Sequence, residues 1–190
     1  MYEFDNGSAM KLKVFLSELR LYVCNHIVNK IPSHVFRLMF YRKIMRFKID
    51  KNVSIGLGCI FDATDNLSIG FNSVINARCR LDTRGGIRIA ENVSISCDTI
   101  ILTADHDPNE FMAGRNQPVK IDSYVFVGTR SMILAGVDIG THTVIAAGSV
   151  VSKNIPSRVI AGGVPAKIIK EVPNDGILMR EFNSYYRLFQ

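Results

Sequence analysis

His106 is the residue of this sequence best suited to moving a proton. It lies between two carboxylates in the stretch TADHDPN, residues 103–109, with Asp105 before it and Asp107 after it. An unperturbed imidazole has a pKa of about 6.5, so a histidine can accept a proton from a hydroxyl group at neutral pH. A carboxylate or a carbonyl group must then hold the ring in one orientation. A single histidine in a polar loop is also a common surface residue. The sequence around His106 is therefore needed to distinguish a catalytic histidine from an ordinary surface one.

The chain on both sides of His106 repeats with a period of six residues. A large apolar residue returns at every sixth position, apart from two-residue insertions after Phe61 and Leu81 and a long interruption around His106. The positions are Ile49, Ile55, Phe61, Ile69, Ile75, Leu81, Ile89, Ile95, Ile101, Ile121, Val127, Ile133, Ile139, Ile145 and Val151. This period fits neither a helix, which repeats about every 3.6 residues, nor a simple alternating strand. It predicts an all-β solenoid of hexapeptide repeats, with these side chains inside and Gly, Asn and Asp in the turns.

The two insertions indicate how the repeats stack. They recur twenty residues apart, so three hexads plus one insertion form one coil and the insertions share one corner. Asp62 and Asp82 follow the insertion points and should lie one above the other, with Asn76 on the coil between them.

The two ends of the chain differ from the repeat. We divide the sequence into a basic helical segment at residues 1–48, a solenoid at residues 49–170 with a loop at residues 106–118, and a tail at residues 171–190. A short helix with an aromatic face is expected at residues 175–190. The first segment has a helical pattern broken near Pro32. It either caps the first coil or packs between subunits, or it forms a basic amphipathic surface that touches the inner membrane.

The charge of the protein is concentrated in its N-terminal segment. Residues 1–51 carry ten Lys and Arg against four Asp and Glu, which accounts for the whole formal net charge of +6. Because the solenoid itself is neutral, we expect no nucleic-acid partner. The first residues lack the pattern of a secretion signal, and no apolar run approaches the roughly 18 residues of a membrane span. A cytoplasmic location is expected, at the periphery of the inner membrane if the basic segment binds lipid.

The four cysteines do not have the spacing of a metal site. Cys24, Cys59, Cys79 and Cys97 include no CxxC pair, and no nearby histidines complete a zinc set. We interpret them as small reduced core residues. No metal is expected, because the γ-class carbonic anhydrases, which share this kind of solenoid, need three histidines and the repeat contains only His106 and His142.

The C-terminal half of the repeat, from IDSYVFVGTRSMILAGVDIG to AGGVPAKIIKEV, resembles the hexapeptide-repeat acyltransferases. It is most similar to the galactoside and maltose O-acetyltransferases and to the O-acetyltransferases that modify exopolysaccharide sugars. The resemblance implies a left-handed parallel β-helix, a homotrimer with active sites between subunits, and acetyl-CoA as the acyl donor. It also implies that the loop at residues 106–118 is part of the active site.

The resemblance carries over to individual residues. It implies that His106 is the general base, that Asn76 contacts the acceptor hydroxyl, and that the backbone N–H of Thr129 points toward the thioester oxygen. Asp62 and Asp105 are candidate acceptor contacts. The positions implied for coenzyme A are Gly128, Thr129, Ala147, Ser152, Lys153 and Lys170. Arg84 departs from the family, because the galactoside enzymes have an acidic sugar contact at its position.

The predicted function is therefore transfer of an acetyl group from acetyl-CoA to a sugar hydroxyl, in the synthesis of a surface polysaccharide. N-acetylation of an amino-sugar nucleotide is the alternative on the same scaffold. A non-catalytic solenoid that serves as a scaffold is the alternative from a different class of protein.

Overall fold

The computed structural model describes residues 6–172. The helix predicted at residues 175–190 lies outside the described residues. Two helices, α1 (Asn6–His26) and α2 (His34–Lys43), precede the strands and are joined by a 3₁₀ turn at Val28–Lys30.

The rest of the chain consists of very short strands. In chain order they are β1 (Lys48–Ile49), β2 (Ser54–Ile55), β3 (Ile60–Phe61), β4 (Leu67–Ile69), β5 (Val74–Ile75), β6 (Arg80–Leu81), β7 (Ile87–Ile89), β8 (Ser94–Ile95), β9 (Ile100–Ile101), β10 (Ala104–Asp107), β11 (Ala113–Asn116), β12 (Val119–Ile121), β13 (Phe126–Val127), β14 (Met132–Ile133), β15 (Asp138–Ile139), β16 (Val144–Ile145), β17 (Val150–Val151), β18 (Val159–Gly163) and β19 (Ala166–Glu171). A strand of two residues buries too little to be stable alone, so each one depends on the strands stacked above and below it.

Three parallel sheets form the sides of a prism. Sheet A has the order β1-β4-β7-β12-β15, sheet B runs β2-β5-β8-β13-β16-β18-β19, and sheet C runs β3-β6-β9-β14-β17. Each coil passes through sheets A, B and C in turn, and β19 is antiparallel to β18 at the end of sheet B. The predicted all-β solenoid, a left-handed parallel β-helix with an N-terminal helical segment, is confirmed.

The hexad residues form the core of the prism. Each stacks on its counterpart in the next coil, as Ile75 does on Ile95 and Ile95 on Val127. All of the predicted inward positions are buried, and the most exposed, Ile49, has 9% of its surface accessible. Burial of one such aliphatic side chain stabilises the fold by about 1.5–3 kcal/mol, so the stacked columns supply most of the stability.

The prism has three corners, and the polar candidate residues lie at them. Corner 1 joins sheet A to sheet B, corner 2 joins sheet B to sheet C, and corner 3 joins sheet C to the next coil of sheet A. The two insertions lie at corner 3, as expected. Phe61 pairs with Leu81, so Asp62 and Asp82 lie on successive coils there. Asn76 lies on the intervening coil but at corner 2, directly after β5.

Left-handed backbone recurs at corner 1. Asn52, Asn72 and Asn92 have φ between 54° and 59°, a region that asparagine tolerates better than most residues. The side-chain amide of Asn72 donates to Asn92 Oδ1 at 2.7 Å, which links two coils. His142 continues this column with φ 58° and stacks on Tyr124 with ring centroids 4.9 Å apart. His142 is half-buried, and its pKa is lowered, first by burial and then by the charge of Arg158.

The N-terminal segment caps the first coil, as one of the two interpretations predicted. The Asn25 amide donates to Phe61 O at 2.7 Å and its Oδ1 accepts from Phe61 N at 3.1 Å, so one side chain replaces the neighbouring strand that β3 lacks. His34 Nε2 accepts from Ile55 N, and Arg37 donates to Ile55 O. No helix among residues 6–172 is long and apolar enough to cross a membrane. Contact of this segment with a membrane surface stays a prediction.

The cysteines follow the core prediction with one exception. Cys24, Cys59 and Cys79 are fully buried, and burial raises the pKa of the Cys24 thiol to about 12. Cys97 is partly exposed. It lies two residues before the inward corner position, which Thr99 occupies on that coil. The prediction that Cys97 is a core residue is therefore wrong.

Candidate active site

The interruption of the repeat is a β-hairpin at corner 3. Strands β10 and β11 pair antiparallel, with His106 opposite Gly114 and Asp105 opposite Arg115. The residues at its tip are exposed. The predicted irregular loop at residues 106–118 is thus ordered by its own ladder of backbone hydrogen bonds.

The geometry of the hairpin sets the tautomer of His106. The Nδ1 atom lies 2.8 Å from the carbonyl oxygen of Met112. A carbonyl oxygen can only accept a hydrogen bond, so Nδ1 carries the proton and Nε2 keeps its lone pair. The ring is exposed, and Nε2 is available to take a proton from a molecule bound beside it.

The backbone at the tip of the hairpin is left-handed at two consecutive residues. Phe111 has φ 50° and Met112 has φ 61°, and neither is a glycine. Such conformations cost free energy and are found where a structure needs them. Here they belong to the turn that brings the Met112 carbonyl within hydrogen-bond distance of the imidazole.

Arg115 binds both aspartates that flank His106. Its Nε and Nη2 atoms donate to the two carboxylate oxygens of Asp105, and Nη1 donates to Asp107 Oδ2 at 2.7 Å. Hydrogen bonds from Arg115 hold the pKa of Asp105 below its ordinary value. The carboxylates therefore fix the hairpin rather than the imidazole, and the orienting group of His106 is the Met112 carbonyl.

Asp82 holds the base of the hairpin. Its side chain is fully buried and accepts hydrogen bonds from the backbone amides of Thr103 and Ala104, both at 3.0 Å. Arg84 donates to it through Nε at 2.8 Å and through its own backbone amide. Burial alone would raise the pKa of Asp82, but these hydrogen bonds together lower it. The buried carboxylate thus fixes the start of β10, two residues before His106.

A cleft opens beside His106. It has a volume of about 320 Å³ and is lined by Arg84, Ala104, Asp105, His106, Gly114, Arg115 and Asn116. We call it the histidine cleft. Of the predicted acceptor contacts, Asp105 lines this cleft, whereas Asp62 lies further down corner 3 and forms an ion pair with Arg80 at 3.0 Å.

A second group of candidate residues lies at corner 2. Gly128 and Thr129 follow β13, and Ala147 lies one coil further along. A side chain at Gly128 would meet the backbone nitrogen of Ala147 at 2.5 Å, so only glycine lets the two coils approach this closely. The Thr129 amide makes no hydrogen bond within residues 6–172, and it is therefore available to a bound molecule.

Asn76 also lies at corner 2, two coils below Thr129. Its amide donates to Ile95 O at 2.9 Å, which braces one coil against the next. This contact is compatible with a second contact to an acceptor, and that role of Asn76 stays a prediction.

Within one chain, the residues predicted to form the active site lie at two different corners of the prism. His106, Ser152 and Lys153 lie at corner 3, whereas Asn76 and Thr129 lie at corner 2. Sheet C separates the two corners, and six nearly extended residues span up to about 20 Å. Lys170 lies on β19, at the end of sheet B, opposite Ile160. A site that uses both groups therefore needs corner 3 of one chain and corner 2 of another.

Sequence reasoning missed the residues that support His106. Neither the Met112 carbonyl nor the contact of Asp82 with the hairpin leaves a local motif. The position of Asp82 after an insertion did mark it as a corner residue. In the described part of the chain, no group of three or more His, Cys, Asp or Glu residues could hold a metal ion.

Two curated relatives agree with the repeat pattern. The bacterial transferase hexapeptide family (six repeats) matches residues 118–153. The galactoside O-acetyltransferase of Escherichia coli K12 is 29% identical over 156 residues, which cover 80% of this chain and 75% of that protein. A putative acetyltransferase of Schizosaccharomyces pombe is 36% identical over 60% of this chain and 58% of that protein. This chain thus spans little more than half the length of the yeast relative.

Solved structures share the fold. A galactoside acetyltransferase in complex with coenzyme A superposes with a TM-score of 0.75 at 26% identity, over 92% of this chain and 86% of that one. A maltose O-acetyltransferase from Clostridium difficile has a TM-score of 0.74 at 26% identity, over 91% and 92%. An N-acyltransferase from Bacillus cereus, bound to dTDP-4-amino-4,6-dideoxyglucose and coenzyme A, has a TM-score of 0.58 at 26% identity, over 67% and 78%.

The six-residue period, the three parallel sheets and the hairpin that carries one histidine agree with these relatives. The chain is similar in sequence and in fold to the hexapeptide-repeat acetyltransferases.

Proposed function

We propose that the protein transfers an acetyl group from acetyl-CoA to a hydroxyl group of a sugar, as a step in the synthesis of a surface polysaccharide. The observation that carries the proposal is the contact between His106 Nδ1 and Met112 O, which leaves Nε2 as a base exposed in a cleft. The names of the relatives, galactoside and maltose O-acetyltransferases, support the donor and the class of acceptor.

His106 moves one proton in each direction. Nε2 takes the proton of the acceptor hydroxyl as its oxygen attacks the thioester carbonyl carbon. The Thr129 amide donates to the carbonyl oxygen, which becomes negatively charged. When the carbon–sulfur bond breaks, the imidazolium returns the proton to the departing sulfur. No covalent bond to the protein is needed, and His106 ends in its starting tautomer.

The division of the site between two corners supports a homotrimer. A threefold arrangement places the same two surfaces of neighbouring subunits against each other at each of three interfaces. Corner 3, with His106 and Lys153, would then face corner 2 of the next subunit, with Asn76 and Thr129. Each site would contain the base of one subunit and the oxyanion donor of another.

Binding of acetyl-CoA requires an apolar surface for its pantetheine arm and positive charge for its phosphates. Ala147 has no side chain beyond Cβ and leaves room for the pantetheine arm beside Thr129. Lys153 and Lys170 are exposed and can meet the phosphates of the nucleotide end. Ser152 and Gly128 complete the proposed donor site.

Titration calorimetry with acetyl-CoA tests the proposal. We expect micromolar affinity for the wild type, which corresponds to about −8 kcal/mol. Lys153→Ala should weaken binding, and His106→Ala should leave it nearly unchanged because the base does not hold the donor. Absence of binding by the folded wild-type protein would leave only a scaffold role.

N-acylation of an amino-sugar nucleotide is the second candidate. The likeness to the Bacillus cereus N-acyltransferase favours it. Hydroxylamine separates the two products, because it cleaves an ester and leaves an amide intact. A product that resists hydroxylamine would replace O-acetylation by N-acetylation.

A further inference from the structure

A larger cavity lies directly beside the histidine cleft. It has a volume of about 740 Å³ and lies on the outer face of sheet A. Its charged lining consists of Arg46, Lys48, Arg88 and one carboxylate, Asp65. We call this cavity the basic cleft. Three cations against one anion give it a net positive charge.

The cations of the basic cleft belong to stacked coils. Lys48 on β1 pairs with Ser68 on β4, and Ser68 pairs with Arg88 on β7. Neighbouring strands are about 4.8 Å apart, so the Cα atoms of Lys48 and Arg88 are about 10 Å apart with a small side chain between them. Two long side chains at this distance can reach one anionic group placed over Ser68. Arg46, at the end of the N-terminal segment, lines the same cleft.

These cations differ from three other arginines of the solenoid surface. Arg78, Arg80 and Arg84 form ion pairs with Asp98, Asp62 and Asp82. Within residues 6–172, by contrast, Arg46, Lys48 and Arg88 form no ion pair. Like charges placed together without a partner destabilise a surface, and a bound anion would remove this cost.

One turn separates the two clefts. Arg84 lines the histidine cleft, and the next two residues, Gly85 and Gly86, line the basic cleft. On the other side, Asn116 lines the first and Pro118 lines the second. The turn is tied to the hairpin base, because the Gly85 amide donates to Thr103 Oγ1 at 2.7 Å. A molecule with one end against His106 can therefore extend over this turn into the basic cleft.

We propose that the basic cleft binds an anionic group of the acceptor, so that the acceptor is a sugar bearing a phosphate or a carboxylate rather than a neutral sugar. The proposal rests on the proposed function, since it takes the acceptor hydroxyl to lie at His106. Arg46, Lys48 and Arg88 bind the anion, and the distance between the clefts selects where on the acceptor the charge must lie. The exposed ammonium and guanidinium groups suit both phosphate and carboxylate.

Acceptor competition tests the proposal. Transfer from acetyl-CoA is measured with three acceptors built on one hexose: the neutral methyl glycoside, the 1-phosphate and the corresponding uronic acid. We expect kcat/KM for at least one charged acceptor to exceed that for the neutral one roughly tenfold, the size of one charge-assisted hydrogen bond. Preference for the 1-phosphate would assign a sugar phosphate, and preference for the uronic acid would assign a sugar acid.

A double variant locates the effect. Lys48→Gln with Arg88→Gln should abolish the preference for the charged acceptor and leave kcat/KM for the methyl glycoside unchanged. Lys43→Gln, which removes one exposed positive charge at the end of α2 outside both clefts, is the matched control and should keep the preference. No preference in the wild type, or a preference that survives in the double variant, would overturn the proposal.

Binding without turnover separates this proposal from the function on which it rests. Calorimetric titration with the hexose 1-phosphate and with the uronic acid is run on the wild type and on the double variant. If the protein binds one of them through Lys48 and Arg88 but acetylates no acceptor, the proposed anion site is supported and the proposed acetyltransferase activity is overturned. If the protein acetylates the neutral glycoside but binds neither anion, the acetyltransferase activity is supported and the anion site is overturned.

Discussion

His106 Nδ1 and the carbonyl oxygen of Met112 are 2.8 Å apart across the turn of one hairpin. The candidate base and the group that fixes its tautomer therefore belong to the same short segment. In many enzymes a carboxylate has this role, but both nearby carboxylates are bound to Arg115.

Replacement of His106 should remove the chemistry and spare the binding. His106→Ala should lower kcat by about 10²–10⁴-fold, the usual contribution of a general base, with little change in the affinity for acetyl-CoA. Steady-state kinetics and calorimetry on one preparation check both parts. His106→Asn, which keeps a polar atom near the Nδ1 position but supplies no base, should be as inactive as the alanine variant. Substantial activity in either variant would rule out His106 as the base.

Asp82 should act on catalysis through the position of the hairpin. Asp82→Asn replaces one of the two buried acceptor oxygens by an NH2 donor, so either Arg84 or the pair of amides of Thr103 and Ala104 loses its acceptor. We expect a loss of about 1–3 kcal/mol in the free energy of unfolding. We also expect a lower kcat with an unchanged KM for acetyl-CoA, because the hairpin that Asp82 holds carries the candidate base and none of the residues proposed to bind the donor. Asp98→Asn is the control, since its ion pair with Arg78 is solvent-exposed and should contribute little.

The same carboxylate should make stability depend on pH. The pKa of Asp82 is lowered in the folded protein, so the stabilisation is present above the pKa of the unfolded chain and is lost as the pH falls through the lower, folded pKa. Chemical unfolding of the wild type between neutral and strongly acidic pH should therefore show a larger loss than that of Asp82→Asn. Parallel curves for the two proteins would contradict this role.

Mixed oligomers should recover activity if two chains share each site. His106→Ala impairs corner 3, and Ala147→Arg blocks the proposed donor path at corner 2, so each protein alone should be inactive. In trimers assembled from equal amounts of the two, about a quarter of the sites would combine two intact corners. Activity near that fraction, measured after unfolding and refolding the mixture, is the expected result. Persistent inactivity of the mixture, with trimers intact by light scattering, would mean that each chain contains its own site.

The amide of Asn25 should matter for stability and not for chemistry. Asn25→Leu leaves the Phe61 amide and carbonyl at the edge of β3 without partners, and we expect a loss of about 1–3 kcal/mol in the free energy of unfolding. Denaturant titration gives the value, and kcat measured well below the transition should be unchanged. Asn109→Ala, on the exposed hairpin, is the matched control and should unfold like the wild type.

The sequence predicted the solenoid well because its determinant is periodic. Each inward residue meets its own counterpart one coil away, so a column such as Ile75, Ile95 and Val127 is visible as a spacing along the chain. The same counting assigns His106 to the insertion corner and Asn76 to another. Counting along the repeat therefore predicts that His106 and Asn76 lie at different corners of one chain. The resemblance implies only that both residues belong to the same active site.

The details of the site depend on contacts that no spacing reveals. Arg115 reaches both Asp105 and Asp107 only because β10 and β11 pair in one particular register. The Met112 carbonyl faces the imidazole only because two successive residues adopt left-handed backbone. Cys97 was misplaced for a simpler reason: a shift of two residues along the turn moves a side chain from the core to the surface.

The cap built by Asn25, His34 and Arg37 also determines how copies of the protein can meet. A stack of parallel strands exposes unpaired amides and carbonyls at its ends, and such edges can recruit further strands into fibres. At the first coil these groups are already bound by side chains of the helices, and at the other end of sheet B the last strand, β19, turns back antiparallel on β18. Growth along the prism axis is thereby opposed at the first coil and at the far end of sheet B. In the trimer proposed above, the subunits would therefore meet side by side, and end-to-end polymerisation through the first coil would be prevented.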